Sequence, residues 1–203
     1  MRQIGNMVRF SYTRQKEPLG LGHAVLEARD MVGNEPFAVL LGDVIMTGER
    51  PATRQLIDVF ESTGEGAIAV VPVEREQVSL YGIVATDPPI ERDGRQIYRI
   101  RDLVEKPKPE EAPSTLAVVG RYVLPGEIFD YLERTEPGRG GEIQLTDALR
   151  QLAKERGLWA VICEGKSYDA GDKLGFLQAT VEIGMENPEF GEAFRAWLRS
   201  LKV

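Results

Sequence analysis

Short apolar runs closed by turn residues constrain this chain more than any other feature. Phe37-Ala38-Val39-Leu40-Leu41 ends at Gly42-Asp43, and Trp159-Ala160-Val161-Ile162-Cys163 leads to the acidic turn Asp169-Ala170-Gly171-Asp172. A third run covers residues 67–73. Runs of this length without polar alternation mark strands buried on both faces, as in a parallel or mixed sheet under helices. Between them, Leu21, Ala24, Val25, Ala28 and Met31 fall on one helical face, which predicts a helix over 21–31. Pro51 opens a second helix over 52–62 and Gly64 stops it. The alternation then breaks into β-segments at 81–86, 97–106 and 116–123, with Asp93-Gly94 as a hairpin turn. Further helices are expected at 127–134, 145–155, 172–185 (capped by Asp172) and 190–201, after a strand at 159–164. The fold class is therefore α/β, a doubly wound mixed sheet interrupted by a β-rich patch.

The totals narrow the function classes. At 203 residues the chain suits a single domain over 1–203. A net charge of −7 with scattered basic residues leaves no nucleic-acid footprint. Local lysines and a metal still permit a phosphorylated small ligand. One cysteine excludes an internal disulfide, and one histidine argues against zinc. The apolar runs are far too short to span a bilayer, and the first ten residues lack the apolar core of a signal peptide. A cytoplasmic protein acting on small molecules is the expectation.

Asp43 and Asp169 are the leading functional candidates. Each follows an apolar run in a place where open α/β sheets bind ligands, outside the carboxyl ends of strands. Far apart in sequence, the two carboxylates can meet around one hard cation. Mg²⁺ needs no more, since it takes one or two protein carboxylates and fills its shell with phosphate oxygens and water.

Six blocks add a family resemblance. They are residues 15–24 (Gln15-Lys16-Glu17-Pro18-Leu19-Gly20-Leu21-Gly22-His23-Ala24), Leu41-Gly42-Asp43-Val44-Ile45, Tyr81-Gly82-Ile83-Val84, Val104-Glu105-Lys106-Pro107, Gly140-Gly141-Glu142-Ile143-Gln144-Leu145-Thr146-Asp147 and Tyr168-Asp169-Ala170-Gly171-Asp172-Lys173-Leu174-Gly175. In this order and spacing they closely resemble bacterial UTP–glucose-1-phosphate uridylyltransferases. The resemblance runs from about residue 1 to 202 and covers the family's middle and C-terminal portions. The family's N-terminal strand and the glycine- and lysine-rich segment that grips the triphosphate do not occur in these residues. A truncated gene product is expected, and a naturally reduced relative is the alternative.

The resemblance implies a Rossmann-like sheet of the nucleotide-diphospho-sugar transferase type, with an inserted β-rich sugar-binding patch and C-terminal helices. It implies UTP and glucose 1-phosphate as substrates, Mg²⁺ as cofactor, and a homo-oligomer. Asp43 and Asp169 would hold the metal; without the resemblance, each reads as a turn or capping residue. Lys106 would take the sugar phosphate as a mobile point charge, and Glu105 a sugar hydroxyl; the plain alternative is a solvated ion pair. Glu142 would accept sugar hydroxyls, though a helix N-terminus also favours an acid there. Gly82 would offer its amide to the sugar, or simply be a strand glycine. Gln15 and Gly20 would read the base; alone, Gln15 is a loop residue. His23 reads as a helix residue and Cys163 as an inert small hydrophobe.

Two rivals come from other classes. One is a non-catalytic sugar-nucleotide-binding or regulatory protein without the triphosphate loop. The other, a metal-dependent glycosyltransferase, calls for Asp-x-Asp where this chain has Asp43-Val44-Ile45.

Overall fold

The structure is a computed structural model that describes residues 7–201. The first apolar run forms β1 (Phe37–Leu40), and the runs near 67 and 159 form β3 (Gly66–Pro72) and β8 (Leu158–Ile162). β4 (Gly82–Thr86), β5 (Ile90–Arg92), β6 (Arg95–Glu105) and β7 (Leu116–Leu124) come from the β-rich stretch. These seven strands make one mixed sheet in the order β1-β7-β3-β8-β6-β4, with β5 paired to β6. β3 and β8 are parallel, and the other pairs are antiparallel. The long β6 pairs with β8 through Ile97–Arg99 and with β4 through its second half. β4 also touches β7, so the sheet curls nearly closed at this end. Asp93 and Gly94 both have positive φ, 50° and 73°, which is the turn expected between β5 and β6.

Helices cover both faces. α1 (Leu21–Leu26), α4 (Ile128–Arg134) and α5 (Leu145–Glu155) pack on one side with Val70, Ile100 and Leu124 of the sheet. Phe37 stacks on Phe129 there with ring centroids 4.9 Å apart. α3 (Ala52–Thr63) covers the other side, placing Leu56 and Val59 on Ala67, Ala69 and Val161. Gly64 ends α3 in the left-handed conformation (φ 71°), as its position after the apolar face required. Asp172 caps α6 (Lys173–Glu186) by accepting from Gly175 N at 2.9 Å, and α7 (Gly191–Ser200) follows. No described helix is long and apolar enough to cross a membrane.

Two expectations change. The helix over 21–31 breaks at Glu27-Ala28 into α1 and the single turn α2 (Arg29–Val32), leaving Met31 half exposed. Arg29 there pairs with Asp130 and Glu133 of α4, so the second piece follows its ion pairs and not the apolar stripe. The route to Asp169 also differs. The chain leaves β8, turns at Glu164-Gly165, and makes a separate strand β9 (Lys166–Asp169). β9 pairs antiparallel with β2 (Val44–Thr47), a ribbon outside the main sheet. β2 is an apolar run of three (Val44-Ile45-Met46) too short to stand out after Asp43, and β9 (Lys166-Ser167-Tyr168-Asp169) has no apolar pattern.

Cys163 is buried against Ala52 O, and burial raises its thiol from an ordinary 9.0 to about 11. The unfolded thiol ionises first, so this contribution is intact below pH 9 and is lost as pH climbs to about 11. Two units correspond to roughly 2–3 kcal/mol at most. Cys163→Ala should therefore flatten the fall in thermal midpoint over this window. An unchanged alkaline profile would show that the thiol does not titrate with unfolding.

Candidate active site

The ribbon of β2 and β9 stands over the curled end of the sheet and encloses a cavity of about 470 Å³. Asp43 lies in the turn before β2, and Asp169 ends β9. Val44 faces Asp169 across the ribbon, and Ala170 N donates to Asp43 O at 2.7 Å. The two carboxylates flank Gly171: a Cβ there would lie 3.1 Å from Asp169 Oδ1 and 3.3 Å from Asp43 Oδ2. Asp169 Oδ1 accepts from Gly171 N at 2.9 Å and Asp172 N at 3.3 Å, which fixes its carboxylate. The structure thus places Asp43 and Asp169 on the same side of the cavity. It does so through an antiparallel ribbon, not at the ends of two parallel strands.

Arg121 holds the Asp43 turn in place. Its Nη1 donates to Leu41 O at 3.0 Å and Gly120 O at 2.9 Å, and its Nη2 donates to Val44 O. The neighbouring Gly120 sits at a register shift of β7 with φ 32°. A Cβ there would come within 2.8 Å of Val44 Cγ2, so glycine lets the turn lie flat on the sheet.

The opposite wall is built from β4, β6 and the start of α5. Gly82 is paired with Glu105 in the ladder, and Thr146 Oγ1 donates to Glu105 Oε2 at 2.6 Å. A Cβ on Gly82 would reach both of those oxygens at 3.2 Å, so the cluster depends on glycine there. Lys106 follows with φ 46°, a conformation costing a non-glycine residue about 1–2 kcal/mol. Its amide donates to Tyr81 O at 3.0 Å, and its exposed Nζ lies 3.9 Å from Glu105 Oε1. Lys106 is the basic residue among those lining the cavity. Both tyrosines beside the carboxylates are raised, first by burial: Tyr81 then by Asp169 and Asp172, Tyr122 then by Glu105 and Asp43. The cavity therefore carries a negative field with one mobile cation at its rim.

Three of the sequence candidates do not line the cavity. Glu142 is exposed, accepting from Gln144 Nε2 at 3.0 Å, while Gln144 and Thr146 of the same block face the cavity instead. Gln15 and Gly20 sit with it on the rim. Gly20 (φ 97°) packs where a Cβ would lie 2.8 Å from Glu142 Cβ, and Leu19 O accepts from Ile143 N at 2.8 Å. Gln15 Nε2 donates to Gly20 O at 3.1 Å. The cavity thus groups Asp43, Asp169, Gly82, Glu105 and Lys106, and the rim groups Gln15, Gly20 and Glu142.

The sequence model of the nucleotidyl transferase family matches residues 1–186. The chain belongs to that family. A Bacillus subtilis (strain 168) UTP–glucose-1-phosphate uridylyltransferase, YngB, is 50% identical over 99% of this chain and 66% of its own length. A Staphylococcus epidermidis UTP–glucose-1-phosphate uridylyltransferase is 46% identical over 95% of this chain and 65% of its own. The chain thus spans just under two thirds of these curated relatives. A solved UDP-glucose pyrophosphorylase complexed with UDP-glucose superposes with a TM-score of 0.86, at 40% identity, over 92% of this chain and 70% of that one. A UTP-bound enzyme of the same kind from Acinetobacter baumannii gives 0.83 at 40% identity, over 94% and 65%. The family resemblance read from the six blocks and the mixed α/β fold read from the strand and helix patterns are both borne out. Sequence reading missed Thr146 and Arg121; Thr146 was within a quoted block, but nothing in the sequence marks its contact with Glu105.

Proposed function

We propose that this chain carries the sugar-phosphate and metal side of a site that makes UDP-glucose and pyrophosphate from UTP and glucose 1-phosphate. The observation that carries this reading is the convergence of Asp43 and Asp169 with Gly82, Glu105 and Lys106 on one cavity. The names of the relatives support the same reaction.

A phosphate oxygen of glucose 1-phosphate attacks the α-phosphorus of UTP in line. The new P–O bond forms as the α–β bridging bond breaks, and pyrophosphate leaves with that electron pair. No protein nucleophile is required, so the residues act by positioning and charge. Lys106 holds the attacking phosphate, and its left-handed backbone projects it from the end of β6. Glu105, oriented by Thr146, accepts a sugar hydroxyl, while the Gly82 amide approaches the sugar closely. Glu142 adds a hydroxyl contact from the rim, and Gln15 and Gly20 read the uracil. Asp43 and Asp169 suit Mg²⁺: hard oxygen donors, few enough to leave room for phosphate and water, in a negative field. The ion would supply charge neutralisation to the phosphates. The terminal helices expose Phe176, Leu177 and Trp197, which supports a homo-oligomer.

The test is pyrophosphate release from UTP and glucose 1-phosphate, in a chain extended upstream with a glycine-rich phosphate-binding segment, against CTP and other sugar phosphates. Turnover with UTP and glucose 1-phosphate should lead by a wide margin. In calorimetric titrations, Lys106→Ala should weaken glucose 1-phosphate about tenfold or more and leave UTP nearly intact. A selective loss of UTP affinity would reverse the two halves of the site.

A further inference from the structure

His23 belongs to no part of the mechanism above, yet it closes a chain of contacts on the rim. Its Nε2 lies 3.4 Å from Glu27 Oε1, one helical turn along α1. Its Nδ1 lies 2.9 Å from Gln15 Nε2. An amide nitrogen only donates, so Nδ1 is the acceptor and the ring proton sits on Nε2, facing the Glu27 carboxylate. The second Gln15 amide hydrogen goes to Gly20 O at 3.1 Å. Both donors of Gln15 are thereby used within the protein. Its Oε1, and the Gly20 amide beside it, meet no partner among the described residues.

We infer that His23 is a positioning residue that fixes the polarity of Gln15, so that the rim presents one acceptor and one amide donor to the base. This rests on the reading of Gln15 and Gly20 as the base site. An acceptor beside a donor matches the imide edge of uracil, where N3–H donates and the adjacent carbonyl accepts. Cytosine places a lone pair on N3 and a donor amine next to it, so both contacts meet the wrong partner. A glutamine free to rotate its amide would accept either edge; the Glu27–His23 pair removes that freedom. A site whose polar groups are committed in this way rejects the mismatched ligand because those groups are left unpaired.

The histidine is the only one in the chain, so its ring nitrogens are directly assignable by ¹⁵N–¹H correlation spectroscopy. The expected spectrum shows a protonated Nε2 and an unprotonated Nδ1; a neutral ring protonated on Nδ1 overturns the proposal. The second measurement compares UDP-glucose with CDP-glucose by calorimetry. His23→Leu should shrink the preference for UDP-glucose about tenfold, the loss expected when one oriented polar contact becomes free to flip. Glu27→Gln, a change on the more open end of the chain of contacts, should shrink the preference in the same direction. A folded His23→Leu chain that discriminates as well as the unaltered one overturns the role of His23. If Gln15→Ala also leaves the preference intact, the base-site reading beneath it fails too.

Discussion

Asp43→Asn should cut turnover by about 10²–10³ or more at saturating Mg²⁺ while barely moving the thermal midpoint. The carboxylate is exposed, in a turn, so the core loses nothing with it. Its side chain flanks Gly171 together with that of Asp169, and the substitution removes half of the oxygen set proposed for the metal. The turn itself stays in place, because Arg121 binds the carbonyls of Leu41, Gly120 and Val44 and not the carboxylate. Pyrophosphate release by the extended chain reads the first effect, and calorimetric Mg²⁺ titration of the 203-residue chain reads it independently of turnover. A mutant as active as its parent would remove Asp43 from the site.

What the sequence disclosed depended on how local the signal was. β1, β3 and β8 were visible because their apolar runs are contiguous, and α5 because Leu145, Ala148, Leu149 and Leu152 repeat at helical spacing. The β2–β9 ribbon was not visible. Its residues are half exposed, and Lys166-Ser167-Tyr168-Asp169 reads as a loop by composition. Pairing across more than a hundred residues, not local propensity, makes it a strand. Asp43 and Asp169 are therefore brought to one cavity by a ribbon, where strand ends of the main sheet were expected to carry them. The Thr146–Glu105 and Arg121 contacts belong to the same class, since each joins residues that only the closed sheet brings together. Gln55 shows how such contacts hide. A polar residue on an apolar helix face looks misplaced, yet its side chain bonds Arg50 O, Glu164 O and Glu164 N. It thereby ties α3 to the turn that launches β9.

That turn makes Gly165 the residue whose change should most cleanly separate the site from the fold. Gly165 has φ 111°, and a Cβ built on it would fall 1.9 Å from Thr47 O. Thr47 is paired with Lys166 at the base of the ribbon, so nothing flexible stands there to give way. Gly165→Ala combines a left-handed strain of about 1–3 kcal/mol with a backbone clash, and the chain can escape both only by opening β2 from β9. The main sheet does not depend on that ribbon, since its seven strands pair without it. The expected result is a folded protein whose thermal midpoint drops by about 5–10 °C. Mg²⁺ and UDP-glucose binding should fall at least tenfold, because Asp43 and Asp169 no longer face each other. Gly64→Ala is the matched control: φ is 71°, but a Cβ there meets nothing within 4 Å. That change should cost about 1 kcal/mol and leave ligand binding alone. Amide exchange locates the effect, with faster exchange expected across β2 and β9 in Gly165→Ala and at the end of α3 in Gly64→Ala. Equal losses of binding in the two variants would mean that stability, not the ribbon, governs the site.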